Sequence, residues 1–429
     1  MHLTKVEIKN LKSLENFTWE LADNENPAGW HVLLGDNGSG KSTFLRACAI
    51  ALMGPKNAMG LRLPWVDWVQ HGEKEAKINI ALTQDYAYDQ WAGKGNTTVG
   101  KLRAAIKIND QGITSIEKAP SPNRHVWGGT GWFTSSFGPY RRFSGGNKEH
   151  EKLFYSSPKL ASHLSLFGED VALSETLGWL RDLHYNKLDD ESRGGSNSVS
   201  GALLESIKKF INQDGFLPNG SKLEEVTPKG INFKDSNGHT IEITDLSDGF
   251  RSILSMTLEL VRLLSICSGN RKIFNSDGTK IIVPGVVIID EVDVHLHPRW
   301  QRTIGPWMTD HFPAIQFIVT THSPLVCQGA VNGSITRLPS PGGNEKEGRV
   351  TGVALDRLLF GDILEALSSG AFGQGIERSE IAKEMFYELA TLNVQSRRRE
   401  LECSEQARRE ELQSIFGSMT ETVEVERNA

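Results

Sequence analysis

An α/β fold with a mostly parallel central sheet is what this sequence predicts, and three observations point to it. Fully apolar runs recur at HVLLG, VPGVVIIDE and IQFIVTTHSP, as suits central parallel strands covered on both faces. The first run leads straight into a glycine-rich loop, GDNGSGKST, and then into a stretch with Phe44, Leu45, Ala49, Leu52 and Met53 at helical spacing. The N-terminal residues Leu3 to Ile8 instead alternate, as a half-buried strand does.

The elements follow in order. Strands are expected at Leu3 to Ile8, Phe17 to Leu21 and HVLLG, then at Lys77 to Leu82 and Leu102 to Ile108. A glycine- and aromatic-rich segment, VWGGTGWFTSSFGPYRRFSGG, closes this part, expected to span 1–145. Residues 146–228 read as a short helical insertion, with SETLGWLRDLHYNKL and ALLESIKKFI broken by the polar string DDESRGGSNSVSG. Its lack of sustained heptads excludes a long coiled-coil arm. Residues 229–335 begin with a hairpin pattern, INFKDSNGHTIEI, whose Asn237-Gly238 pair suits a tight turn. They continue through LSDGF and a long helix, in which Ile253, Leu254, Leu260, Val261 and Leu264 imply burial while Arg251, Ser255, Glu259 and Arg262 form one polar stripe suited to a subunit interface, then through the two remaining apolar strands with an amphipathic stretch from Trp300 to Met308 between them. Residues 336–429 read as a helical tail with alternating Arg and Glu, a solvated face or a partner-docking helix.

Composition narrows the classes. A net charge of −6 with 23% charged residues gives no global attraction to nucleic acid or membrane, so any DNA contact needs a local basic patch. The four scattered cysteines read as free thiols of a reducing cytosol, and no run of about 18 apolar residues predicts a membrane span. The N-terminus lacks the pattern of a signal peptide.

Gly35-Asp-Asn37-Gly38-Ser39-Gly40-Lys41-Ser42 fits GxxxxGK[ST], continued by Thr43, between a strand and a helix. Glycines let backbone N–H groups turn towards phosphates, Lys41 reaches the β/γ-phosphates and Ser42 can hold magnesium. Asp290 and Glu291 end an apolar strand, where the first can hold the magnesium shell and the second can polarise an attacking water. His322 follows another such strand and can donate to the γ-phosphate or sense its loss. His295 and His297 lack a third ligand at zinc spacing and read as structural or subunit-contact residues. Ser247 and Gly249, in LSDGF, sit at a helix start suited to an anion, which raises the question of a second phosphate site.

Taken together, the order of loop, LSDGF, acidic pair and histidine resembles that of an ATP-binding-cassette ATPase. The resemblance is to its RecF/SMC/OLD-like branch: IKNLKSLENF is similar to the branch's IxNFKSF opening, and DEVDVHLHPRWQ and TTHSP to its later motifs. It covers about 1 to 145 and 230 to 330. It implies an ABC ATPase head, a P-loop NTPase whose central sheet is joined by an antiparallel β subdomain. The ligands implied are ATP and Mg2+, with Lys12 near the phosphates. Ser247 and Gly249 would bind the γ-phosphate of nucleotide held by a second subunit, giving a homodimer or higher homo-oligomer around an ATP sandwich. No residue is identified as the usual glutamine of the family's glutamine loop: Arg141 and Arg142 are candidate substitutes, read as a solvated face or as a phosphate or DNA contact, and Gln70 is a second candidate. The insertion is too short for an SMC coiled coil, and the roughly 100 residues after His322 lack the carboxylate clusters of a TOPRIM nuclease.

The compact cassette, FGPYRRFSGG and the GAFGQGIERSE tail most resemble the stand-alone ATPases of bacterial anti-phage systems, Septu first and PARIS second. That resemblance implies ATP hydrolysis and control of a separately encoded effector nuclease, of HNH type for Septu. A RecF-like DNA-repair ATPase that binds DNA is the alternative.

Overall fold

A computed structural model describes residues 1–23, 25–85, 87–89, 102–109, 112–115, 126–127, 132–141, 157–168, 175–193, 198–217, 220–227, 230–269, 271–339, 348–372 and 379–416. It divides into one unit from Met1 to Ala371 and another from Phe372 to Ala429.

The first unit begins with strands β1 (His2–Leu11), β2 (Leu14–Glu20) and β3 (Gly29–Leu34), followed by helix α1 (Lys41–Met53). Strands β4 (Ala76–Thr83), β5 (Leu102–Asn109), β6 (Gly112–Ser115) and β7 (Phe133–Phe137) come next. Helices α2 (Glu175–Ser192) and α3 (Val199–Ile211) lead to β8 (Lys222–Val226), β9 (Ile231–Lys234) and β10 (Thr240–Glu242). The long helix α4 (Asp248–Ser268) precedes β11 (Gly285–Ile289), α5 (Pro298–His311), β12 (Ile315–Thr320), β13 (Gly333–Arg337) and β14 (Gly348–Arg349).

Three sheets result. The central one has the order β14-β13-β3-β12-β11-β7 and is parallel except for the β13–β14 pair. An antiparallel sheet, β2-β1-β4-β5-β6, is the subdomain the family resemblance implied. A small antiparallel sheet, β10-β9-β8, holds the expected hairpin together with a third strand, KLEEV, that lies in the stretch expected to be helical. That strand was hidden because its apolar residues are few and its Glu pair carries no strand preference.

Every position of β3, β11 and β12 is buried, the polar His31, Gln316 and Thr320 among them, which requires cover on both faces of the central sheet. On one face α1 supplies it: Phe44, Leu45, Ile50, Leu52 and Met53 share a core with Val6, Ile8, Ile78 and Ile106 of the antiparallel sheet and with Ile288 and Ile318 of the central one. Each such Leu, Ile or Phe stabilises the fold by about 1.5–3 kcal/mol. The phosphate-loop helix is therefore clamped between two sheets, and its N-terminus is fixed.

The second unit is a helical pair, α6 (Glu380–Ser396) and α7 (Cys403–Phe416), closed over Leu389, Leu392 and Leu412. Bidentate pairs of Arg399 with Glu405 and Arg408 with Glu388 lie on its surface. Among the described residues no helix is long and apolar enough to cross a membrane.

Candidate nucleotide site

Chain reversal at the carboxyl ends of parallel strands creates a crevice where ligands bind in open α/β sheets. Here β3, β12 and β11 are parallel neighbours, so the loop after β3, the TTHSP segment at the end of β12 and the acidic pair after β11 lie together at the carboxyl end of the sheet.

The loop is built for backbone exposure. Gly38 and Gly40 adopt φ of 84° and 92°, where a side chain is strained. A Cβ at Gly40 would strike Ser13 and Leu14, so the β1–β2 turn rides directly over the loop. Ser39 is buried with an unpartnered Oγ, whereas Asn37 and Gly38 are exposed. Lys41 opens α1, is 7% exposed, and donates from Nζ to the carbonyls of Gly35 (2.7 Å) and Asp36 (3.0 Å). Burial lowers its pKa, opposed by the charges of Asp290, Glu291, Asp36 and Asp293. Ser42 and Thr43 are half-buried in the first turn of the helix.

Asp290 is buried and accepts a 2.6 Å hydrogen bond from Thr320 Oγ1. The same hydroxyl oxygen accepts 2.7 Å from the backbone N–H of Glu291, a half-buried residue at φ 47°. Thr320 thus holds both members of the acidic pair, a role that sequence reading missed because only strand pairing brings β12 beside β11. Two positions further on, His322 is exposed at the edge of the same crevice. These donors fit a nucleotide with magnesium: an orphaned buried hydroxyl, a glycine cradle, one lysine, one helical serine and a buried carboxylate on adjacent strand ends.

Lys12 lies in the turn above Gly40 at φ 51°, with Nζ 4.7 Å from the Trp68 ring centroid and its pKa lowered mainly by burial. Gln70 donates its backbone N–H to Asn10 O near that turn. His297 caps α5 by accepting from Arg299 N, and His295 takes φ 65°. Among the described residues no cluster of three metal-ligating side chains occurs.

Ser247 is the exposed N-cap of α4 and makes no capping hydrogen bond. Gly249 has a different neighbour: a Cβ there would collide with the carbonyl of His295 in its own chain. Glycine is thus needed for internal packing as well as for any approach of phosphate.

Two expectations are corrected. Arg141, weighed as a phosphate or DNA contact, is buried and directed inwards. It donates to Ser252 Oγ (3.1 Å) and to the carbonyls of Gly138 (3.0 Å), Asp290 (3.0 Å), Glu291 (3.1 Å) and Val292 (3.4 Å). Arg142 lies outside the described residues. The polar stripe Arg251, Ser255, Glu259 and Arg262, expected to favour a subunit interface, is instead largely internal. Ser255, Glu259 and Arg262 are buried, and Glu259 takes two bonds from Arg262 (2.6 and 2.7 Å) and one from Thr176 of α2.

A family model described as "AAA domain, putative AbiEii toxin, Type IV TA system" matches residues 94–328, and one described as "AAA domain" matches 5–126. The chain is 26% identical over 372 residues to the Septu protein PtuA of Bacillus mycoides (strain KBAB4), covering 81% of this chain and 44% of that protein. It is 24% identical over 395 residues to the Retron Ec83 probable ATPase of Escherichia coli, covering 76% of this chain and 69% of the relative. Over 128 residues, 29% of this chain and 22% of the relative, identity to the Retron Vc95 probable ATPase of Vibrio cholerae serotype O1 biovar El Tor is 40%. The chain therefore spans less than half the length of the Bacillus mycoides relative. The solved structure titled "Crystal structure of the SmcHead bound to the C-winged helix domain of ScpA" superposes with a TM-score of 0.50 at 16% identity, over 82% of this chain and 98% of that one.

Proposed function

The chain belongs to the family described as "AAA domain, putative AbiEii toxin, Type IV TA system", and on that premise we propose that it hydrolyses ATP, assembles around MgATP and regulates a separately encoded effector nuclease in anti-phage defence. Its type is that of a RecF/SMC-like P-loop ATPase related to those of defence systems. The single observation that carries the shared-site reading is Ser247: a serine at a helix N-cap normally accepts from the helix's own N–H groups, and this one stands exposed without doing so. The Septu and retron relatives support the defence role.

In this reading Gly35–Thr43 cradle the phosphates, Lys41 bears on the β/γ oxygens, and Ser42 and Asp290 hold magnesium, which when bound neutralises charge developing there. Glu291, fixed through its backbone by Thr320, orients and deprotonates water. His322 donates to the γ-phosphate, and Ser247 with the α4 N-terminus of a second copy completes the anion site. Lys12 bears on the phosphates from the turn above Gly40. Residues 1–145 and 229–335 form the head together with β13 and β14, which run on into the stretch expected as tail; 146–228 form the insertion, and the rest of 336–429 is the tail that docks the effector.

Mixing two defective chains tests the shared site. Lys41→Ala loses the loop and Ser247→Arg blocks the helix start; Gly249 is a poor choice because it packs on its own chain. A mixed dimer retains one intact site, so mixing should raise turnover above the sum of the separate proteins. If no ratio does so, the shared-site reading fails. Co-expression with the neighbouring gene product, followed by native mass measurement, tests the effector.

One observation favours the RecF-like, nucleic-acid-binding alternative. Lys9, Lys77 and Lys107 lie directly opposite one another across β1, β4 and β5, like charges that cost stability unless an anion faces them, although Glu75 pairs with two of them. Duplex binding that weakens steeply with salt is expected on this reading; binding unaffected by Lys9→Glu removes it.

A further inference from the structure

We propose that Arg141 is a positioning residue that couples the acidic turn after β11 to the start of α4, so that nucleotide bound in one chain sets the position of the Ser247–Gly249 surface that chain presents to a second copy. The proposal rests on the shared-site reading above.

One guanidinium joins three segments far apart in sequence. Its two Nη atoms take the carbonyls of Gly138, Asp290, Glu291 and Val292, and its Nε takes Ser252 Oγ in the second turn of α4. The turn it holds is the one that places Asp290 and carries Glu291 at φ 47°, a conformation that needs outside support. A second tie lies beside it, where Gly249 packs without space against the His295 carbonyl. With two attachments, the acidic turn and the first turns of α4 move as one body. Displacement of Asp290 towards bound nucleotide is therefore carried to Ser252 and along the hydrogen-bonded helix start to Ser247.

A fold-stabilising role alone would be met by binding the carbonyls of the turn. The bond to Ser252 is the feature that adds coupling: it spends the guanidinium's remaining direction on the helix whose N-terminus faces outwards. Lysine, with a single donor centre, cannot occupy both directions at once.

The test reads amide hydrogen exchange in a Ser247→Arg parent, in which assembly through the helix start is blocked and any response is internal to one chain. MgATP should slow exchange both in residues 36–44 and in residues 249–256. Added Ser252→Ala or Arg141→Lys should leave the loop protection in place and reduce the α4 response by about tenfold. Ser252→Ala removes one hydroxyl and keeps the carbonyl clamp, so it remains informative if Arg141 variants fold poorly. An α4 response unchanged in Ser252→Ala overturns the proposal, as does loss of loop and α4 protection to the same degree. Self-association of the unsubstituted chain with MgATP is measured alongside. Its absence overturns the shared-site reading, while the exchange comparison decides the coupling by itself.

Discussion

Thr320 shows how much one hydroxyl can hold. It donates to Asp290 and accepts from Glu291 N, so both acidic residues depend on it without its touching nucleotide in the proposed scheme. Thr320→Val keeps the shape and strips both bonds, at a stability cost of about 1–3 kcal/mol for the groups left unpaired. Turnover is expected to fall by about 10–100-fold with nucleotide affinity nearly unchanged, because orientation is lost and the loop is not. Steady-state kinetics with a separate binding titration checks this; equal loss of affinity and turnover would place Thr320 in the loop's support instead. The glycine loop was legible because phosphate chemistry demands a contiguous run of residues. Thr320 and the inward role of Arg141 were not, since their partners are 30 and about 150 positions away and become neighbours only through the sheet. For Arg141 the available signal was its place in a segment of buried polar residues, and arginine beside an aromatic reads equally well as surface.

Among the elements, α4 departs most from its expected surroundings. Its apolar periodicity correctly implied burial, but periodicity does not say which neighbour provides it. The neighbour of the polar stripe is α2, reached through Thr176, and the Glu259–Arg262 pair is a fully internal ion pair. Arg262→Met leaves a buried carboxylate whose remaining hydrogen-bond donor among the described residues is Thr176, and is expected to destabilise by about 3–5 kcal/mol. Adding Glu259→Leu should recover much of that loss, because two apolar residues need no desolvated charge. Urea denaturation of the single and double variants measures it, and a double variant no more stable than the single one would show that the pair is not the cause. The third strand of the small sheet was illegible for a related reason: two of its five residues are glutamates, and pairing with β9 alone makes it a strand.

For the whole molecule, pH enters through two buried histidines, His31 and His163, and the half-buried His2. Burial is the main cause that holds His2 and His31 down to about 4 and His163 down to about 3, the last with Thr134 and Ser136 on its two ring nitrogens. Above pH 6.5 each is neutral in both folded and unfolded chain. Below it the unfolded chain takes up protons that the folded chain refuses, so stability falls as pH drops from about 6.5 towards 4, by up to about 1.4 kcal/mol per unit for each histidine. Denaturation midpoints at pH 7.5 and 5.0 should therefore differ markedly, and equal midpoints contradict the account. The fold class was readable because apolar strands and a glycine loop leave few alternatives, whereas the order of strands in the sheet was not, since pairing is a long-range choice. That order has a consequence for the protein's birth. Among the described residues β3 pairs only with β12 and β13, so the strand carrying the phosphate loop waits for neighbours some 300 residues downstream. A nascent chain with its loop already synthesised has no central sheet to hold that loop until residue 337 has left the ribosome, so the candidate site takes shape only when most of the chain has been made.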